Sequence, residues 1–195
     1  MRFRSLFVVV LVLCCSIGLV AARYLRSVKQ PTSEKAVVTR DPLLASFADY
    51  KKWTLVNPVP LPMEPAAAID CFHVIGREEN SPHLHKYISV YVNDAGRDAM
   101  MTQKTPRFPV GSMVVKEKFG SKTSTTPEIL TAMVKREQGY NTVSGDWEFV
   151  VLSGAADAII ERGKLATCQT CHLSYRHSDF VTRTYLPDAV LQKLK

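Results

Sequence analysis

Cysteine is scarce in this chain, with 5 in 195 residues, and that excludes a disulfide-dense mini-scaffold. Acidic residues are in deficit, 18 against 25 Lys and Arg for a formal charge of +7. The basic residues are nevertheless scattered, and two of them, Arg2 and Arg4, precede an apolar run, so nucleic acid is not an expected partner. No internal repeat and no low-complexity tract is visible. What is present is apolar material: 46% of residues, enough to exclude wholesale disorder. The length suits one domain with a short appendage, since roughly 100 to 200 residues make one domain.

The appendage is N-terminal. Arg2 and Arg4 are followed by an apolar stretch from Leu6 to Val20, broken only by Ser16 and Gly18, and then by Ala21 and Ala22. Basic start, apolar middle and small-residue exit are the parts of a secretory signal peptide over residues 1–22. The competing reading is a retained membrane anchor, because Leu6 to Ala22 nears the length of a spanning helix and Arg23, Arg26 and Lys29 follow it. Both readings export the domain, so the expected location is the periplasm, free or held at the inner membrane. Bulky Leu13 before Cys14 argues against lipid attachment at the Cys14–Cys15 pair.

Residues 23–41 are polar, contain Pro31 and read as a linker; the domain proper is expected over 42–195. Leu43, Leu44, Phe47, Tyr50 and Trp53 recur at helical spacing, which predicts one amphipathic helix from Pro42 to Trp53 with its aromatics inward. The prolines of Asn57 to Pro62 predict an extended crossing. Strands are expected at Cys71–Ile75, Tyr87–Val92, Ser112–Lys118 and Trp147–Leu152, and helices at Asp94–Met101 and at Pro127–Arg136, the second opened by Thr126. Ala155 to Thr167 is compatible with a further helix. The expected fold class is α+β, mainly antiparallel β with a few peripheral helices.

The sharpest feature is Cys168-Gln-Thr-Cys171-His172, the Cys-x-x-Cys-His pattern of covalent c-type haem attachment. Two thiols three residues apart can each form a thioether with one haem vinyl group, and the adjoining His172 is placed to bind the iron. Export and this motif support each other, because bacterial haem of this type is attached outside the cytoplasm. A thioredoxin-like pair would sit after an early strand rather than near the C-terminus. A zinc site would need a fourth ligand, for which His177 is at hand, but no second Cys-x-x-Cys exists.

Beyond this motif the order of residues resembles the cytochrome P-460 family. The likeness runs through Tyr50-Lys-Lys-Trp53, Phe108-Pro-Val-Gly111 into Val114-Val-Lys-Glu117, Met133-Val-Lys135, Tyr140, Thr142, Gly145 and Trp147, the haem motif, and Asp179-Phe-Val181. The resemblance implies a mostly β domain that holds one covalently bound haem c with the distal iron position open or weakly occupied. It implies oxidation of hydroxylamine, or, in the related β-type cytochromes c′, binding of nitric oxide and carbon monoxide without turnover. A strand lysine joined covalently to the porphyrin is also implied, and Lys116 is the matching position. Expected partners are a periplasmic electron-transfer protein and a small-molecule substrate or gas ligand, with homodimerisation left open. A plain electron carrier is the third reading.

Alternation along Ser112 to Lys118 places Val114, Lys116 and Lys118 on one face and Met113, Val115 and Glu117 on the other. Lys116 and Glu117 therefore do not share a pocket. A hydroxylamine oxidase needs a proton acceptor near the iron, and the candidates are Asp146 and Glu148, which flank Trp147, with Asp157 and Glu161 on the approach to the haem cysteines. Arg97 could pair with a haem propionate. His83 and His85 read as surface or structural residues. Met63, Met100, Met101, Met113 and Met133 are the sulfur candidates for a sixth ligand, and Cys71 reads as a small buried apolar side chain.

Overall fold

In a computed structural model the described residues are 41–63 and 85–194. The leader, nearly all of the linker, the expected strand Cys71–Ile75, His83 and Cys71 lie outside them. Seven strands form one antiparallel sheet: β1 (Thr54–Leu55), β2 (Leu61–Pro62), β3 (Tyr87–Val92), β4 (Met113–Phe119), β5 (Ile129–Lys135), β6 (Trp147–Ser153) and β7 (Ile159–Gly163). Their order is β1-β3-β4-β5-β6-β7, with β2 also pairing β3. The helical pieces are short: α1 (Pro42–Ala45), a 3-10 turn at Tyr50–Lys52, α2 (Asp94–Met101), α3 (Ala166–His172), a 3-10 segment at Leu173–Ser178, and α4 (Asp188–Leu194). The chain is thus α+β and mainly antiparallel β, as its patterning indicates. No helix among the described residues is long and apolar enough to cross a membrane.

Both faces of the sheet are covered, and the period of two along the strands sorts side chains between them. Val90, Val92, Val114, Met133, Trp147 and Phe149 belong to one core, together with Val181, Tyr185 and Leu186 from the C-terminal segment. Met113, Val115, Leu130, Ala132, Val134 and Val150 belong to the other, where Phe47 and Tyr50 from the N-terminal segment pack over them. The first is called the front face here, the second the back.

Three sequence expectations change. Pro127 to Arg136 holds the strand β5 rather than a helix, hydrogen-bonded between β4 and β6. Its Leu130, Ala132 and Val134 enter the back core while Met133 enters the front, so a strand buries both sets and a helix could present only one stripe. Ala155 to Thr167 likewise carries β7, which pairs with β6 across a register shift at Val151/Leu152 and ends at Gly163, whose φ is +126°. The helix expected from Pro42 to Trp53 is one turn and a later 3-10 turn, although Phe47 and Tyr50 do turn inward.

Charged clasps hold the edges. Glu148 is 2% exposed and accepts Arg136 Nε at 2.6 Å and Arg162 Nε at 2.7 Å. Arg162 reaches on to both carboxylate oxygens of Asp41 at 2.7 and 2.6 Å, and Asp41 caps α1 by accepting Leu43 N. The start of the domain is thereby fastened to strand β7. Behind β4, Glu117 accepts the Tyr50 hydroxyl at 2.7 Å, with Lys51 Nζ at 3.6 Å.

Candidate functional site

The site is built on a knot of buried polar contacts. Trp147, fully buried at the start of β6, donates its indole N–H to the carbonyl of Asp179 at 2.7 Å. The Asp179 carboxylate accepts Lys135 Nζ at 2.7 and 2.8 Å and Phe108 N at 2.8 Å. The Lys135 ammonium stands 5.1 Å from the Trp147 ring centre, and the Phe108 ring meets that indole edge-on at 5.4 Å. Charge, indole and amide thus converge on one residue. They hold Asp179 and Phe180 at φ of 53° and 64°, a left-handed pair that non-glycine residues adopt only when the surroundings determine it. Gly145, itself at φ +60°, lies so close that an added Cβ would come within 2.6 Å of the Phe180 ring.

This backbone turn aims the Phe180 carbonyl at His172. Nδ1 of His172 lies 2.7 Å from that oxygen; a carbonyl can only accept, so Nδ1 carries the proton and Nε2 is left with the lone pair. Helix α3, which carries Cys168, Cys171 and His172, is tied to the same region through Gln169, whose amide donates to Asn141 Oδ1 at 3.1 Å. Asn141 in turn donates to the carbonyl of Trp147 at 2.8 Å.

Between α3 and the front of the sheet lies a cavity of about 890 Å³, open solvent included. One wall is Cys168, Cys171, His172 and Tyr175; the facing wall is Val114, Lys116, Lys118, Met133 and Phe149. The Phe149 ring is 5.3 Å from the His172 ring. No carboxylate side chain is among the described residues that line it. Burial, with the Lys116 charge next in weight, pushes the pKa of His172 down to about 4. Lys118 is 1% exposed, and burial followed by the Lys116 charge pushes its pKa down to about 7. Burial raises the Cys168 thiol. Lys116 sets its ammonium 5.1 Å from the centre of the Tyr185 ring.

The structure brings together Lys116, Cys168, Cys171 and His172 on the two walls of one cavity. It does not bring the acids or Arg97 there. Glu148 lies in its arginine clasp, and Asp146, at φ 61°, accepts the amides of Gly139 and Asn141 at 3.1 and 2.9 Å. Glu161 and Asp157 are exposed near β7, Asp157 taking the Ser153 hydroxyl at 2.6 Å. Arg97 is exposed on α2. His85 and His177 are exposed too, and no group of three or more His, Cys, Asp or Glu among the described residues could hold a metal ion. Met63 and Met133 line the cavity, whereas Met100 and Met113 are core residues outside its lining. Lys118 is the residue that sequence reasoning passed over as a candidate; period-two alternation had already put it beside Lys116.

Compared with known families, the chain matches the Cytochrome P460 model over residues 48–183. No curated protein matches it. The cofactor that this family implies is a haem, and the residues fit one. The facing wall of the cavity is mostly apolar, and a neutral imidazole with Nε2 unprotonated stands on the other. Cys168 is a free thiol, whereas Cys171 is disulfide-bonded.

Two outcomes follow from this geometry. Asp179→Ala leaves the Lys135 ammonium inside without its carboxylate, so stability falls by about 3–5 kcal/mol; urea unfolding reads this, and an unchanged midpoint would contradict the knot. In the haem-free chain Lys118 has a folded pKa of about 7, below the ordinary lysine value. The unfolded chain therefore binds more protons between these two values, and the penalty is absent at high pH and complete below about 7. Lys118→Met should gain stability over the parent as pH falls from 10 to 7, by up to about 1.4 kcal/mol per pH unit. A gain that does not vary with pH would contradict it.

Proposed function

The chain belongs to the cytochrome P460 family, and from that premise we propose that it is an exported cytochrome with a single covalently attached haem c, carrying out redox chemistry on a small nitrogen species. Hydroxylamine and nitric oxide are the species meant. The observation that carries the reading is the cavity itself, with the Cys168-x-x-Cys171-His172 helix on one side and an apolar strand face bearing two lysines on the other.

Each residue has a stated part. Cys168 and Cys171 would anchor the haem, each thiol adding across one vinyl group, once an external dithiol has reduced the disulfide at Cys171. His172 would hold the iron of a bound haem through Nε2, oriented by the Phe180 carbonyl behind it. A second-shell acceptor of this kind fixes the tautomer and increases ligand basicity. Val114 and Phe149 exclude water from the opposite wall, and Lys116 and Lys118 are the cavity-lining lysines that can hold or release a proton there. A bound haem would supply one-electron redox chemistry and a site at iron for a small ligand. Electrons leave to a periplasmic electron-transfer protein.

A second reading, gas binding without turnover, is favoured by one observation: the described lining is apolar around Val114, Met133 and Phe149 and contains no carboxylate to accept substrate protons. The two readings part at the lysines. A covalent bond from Lys116 or Lys118 to the porphyrin goes with oxidation of hydroxylamine, and its absence goes with gas binding.

The full chain, expressed with a c-type maturation system, is expected to retain haem after denaturation. Peptide mass spectrometry should find it on the fragment with Cys168 and Cys171. Loss of all haem on denaturation would overturn the covalent assignment. A red-shifted ferrous band that Lys116→Ala or Lys118→Ala abolishes would identify the cross-linking lysine and favour the enzyme. An ordinary high-spin ferrous spectrum in all three proteins would favour the gas binder.

A further inference from the structure

Lys118 and Cys168 line the same cavity, the lysine from β4 and the cysteine from α3. Lys118 is 1% exposed, and pairing with Ile88 on β3 and Ile129 on β5 holds it inside the sheet. Cys168 is a free thiol packed against the front core. The two lie near enough for each to act on the other's charge. Lys116 and Lys86 also act on the lysine, and Glu161 and the Thr167 hydroxyl on the thiol. Lys116, Cys171, His172 and Tyr175 are the other titratable side chains of the described lining, which holds no carboxylate.

A thiol reacts as its thiolate, and burial raises the Cys168 thiol above its ordinary value. Near neutral pH the sulfur therefore keeps its proton, and bond formation at this sulfur needs a base within the cavity. A buried lysine suits that task, because desolvation disfavours its charged form. Burial, with the Lys116 charge next, brings Lys118 to about 7, so at pH 8 the neutral amine predominates. A base is most effective when its pKa lies near the working pH. Lys116, two residues earlier on the same face, sets its ammonium against the Tyr185 ring instead.

We propose that Lys118 is the base that takes the proton of the Cys168 thiol as haem is attached to this chain. Cys168 Sγ gains a bond to one carbon of the vinyl group in place of its hydrogen, and Lys118 returns that hydrogen as a proton to the other carbon. The sulfur lone pair makes the S–C bond and the vinyl π pair the C–H bond, so nothing is oxidised or reduced and the lysine ends as it began. The inference rests on the haem reading above and adds to it a residue that serves the making of the holoprotein.

The test is the rate of thioether formation from pH 6 to 9 in the full chain prepared without a maturation system. Ferrous protoporphyrin IX is supplied anaerobically with a dithiol, and peptide mass spectrometry reads the product. Cys171→Ser isolates attachment at Cys168, and Cys168→Ser isolates attachment at Cys171. With Lys118 present, the Cys168 rate should rise through a midpoint near 7 and then level. At pH 8 Lys118→Met should slow it by about a hundredfold, Lys118→Arg should slow it as much because a guanidinium does not accept a proton, and the Cys171 rate should change little. Non-covalent haem uptake, read from the Soret band, controls for folding. Equal Cys168 rates in the three proteins overturn the proposal, as does equal slowing at both cysteines with uptake intact. Should neither lysine variant take up haem, the parent profile decides: a rate still rising at pH 9 reports ionisation of the thiol without a base and overturns it. A parent chain that attaches haem at neither cysteine sinks both this inference and the reading it rests on, whereas attachment indifferent to Lys118 sinks this one only.

Discussion

The ion pair between Asp179 and Lys135 is the contact on which the rest of the site depends. It is buried, with side-chain exposures of 5% and 13%, and it is coupled to the Phe108 amide and the Trp147 indole. A buried pair of this kind adds little net stability over an apolar replacement but is very costly to break. What it secures here is a backbone shape. Two consecutive residues at positive φ turn the Phe180 carbonyl toward His172, and the histidine of a helix of about two turns is thereby fixed from a strand-end tryptophan distant in sequence. Gly145 completes the arrangement, because the Phe180 ring fills the space that any Cβ would take.

Strand β4 divides the chemistry of the molecule. Its front side chains, Val114, Lys116 and Lys118, line the cavity, and its back side chain Glu117 is committed to Tyr50 and Lys51. Adjacent residues of opposite charge therefore act in separate surroundings one sheet apart, and the glutamate does not neutralise the lysines. The consequence is a cavity whose described walls are apolar and cationic. A haem entering such a site brings the carboxylates that the lining lacks.

Much of this was legible in the chain. The Cys168 to His172 spacing pointed to a haem, which the family match also implies, and period-two alternation in Ser112 to Lys118 put Lys116 on a different face from Glu117, as the structure has it. Segments read as helices proved harder. Thr126 before Pro127 is a good helix start by local chemistry, yet Ile129 to Lys135 lies between two other strands, and a central strand buried on both faces loses the clean alternation that would identify it. Around Trp147 the sequence offered acids but not their partners. Glu148 looked available because Arg136 and Arg162, twelve and fourteen residues away, meet it only once β5, β6 and β7 are paired. Asp179 is the converse: nothing local marks a buried carboxylate whose partners are Phe108, Lys135 and Trp147.

On the proposed reading His172 would be the one strong protein ligand of a bound haem's iron, with the facing wall leaving room at the iron for a small molecule. Electron paramagnetic resonance of the ferric protein at low temperature tests it most directly. The account predicts an axial high-spin spectrum that changes when a small ligand is added. A low-spin spectrum in the absence of added ligand would contradict it, because a second side chain, a cavity methionine or lysine, would then be filling the position.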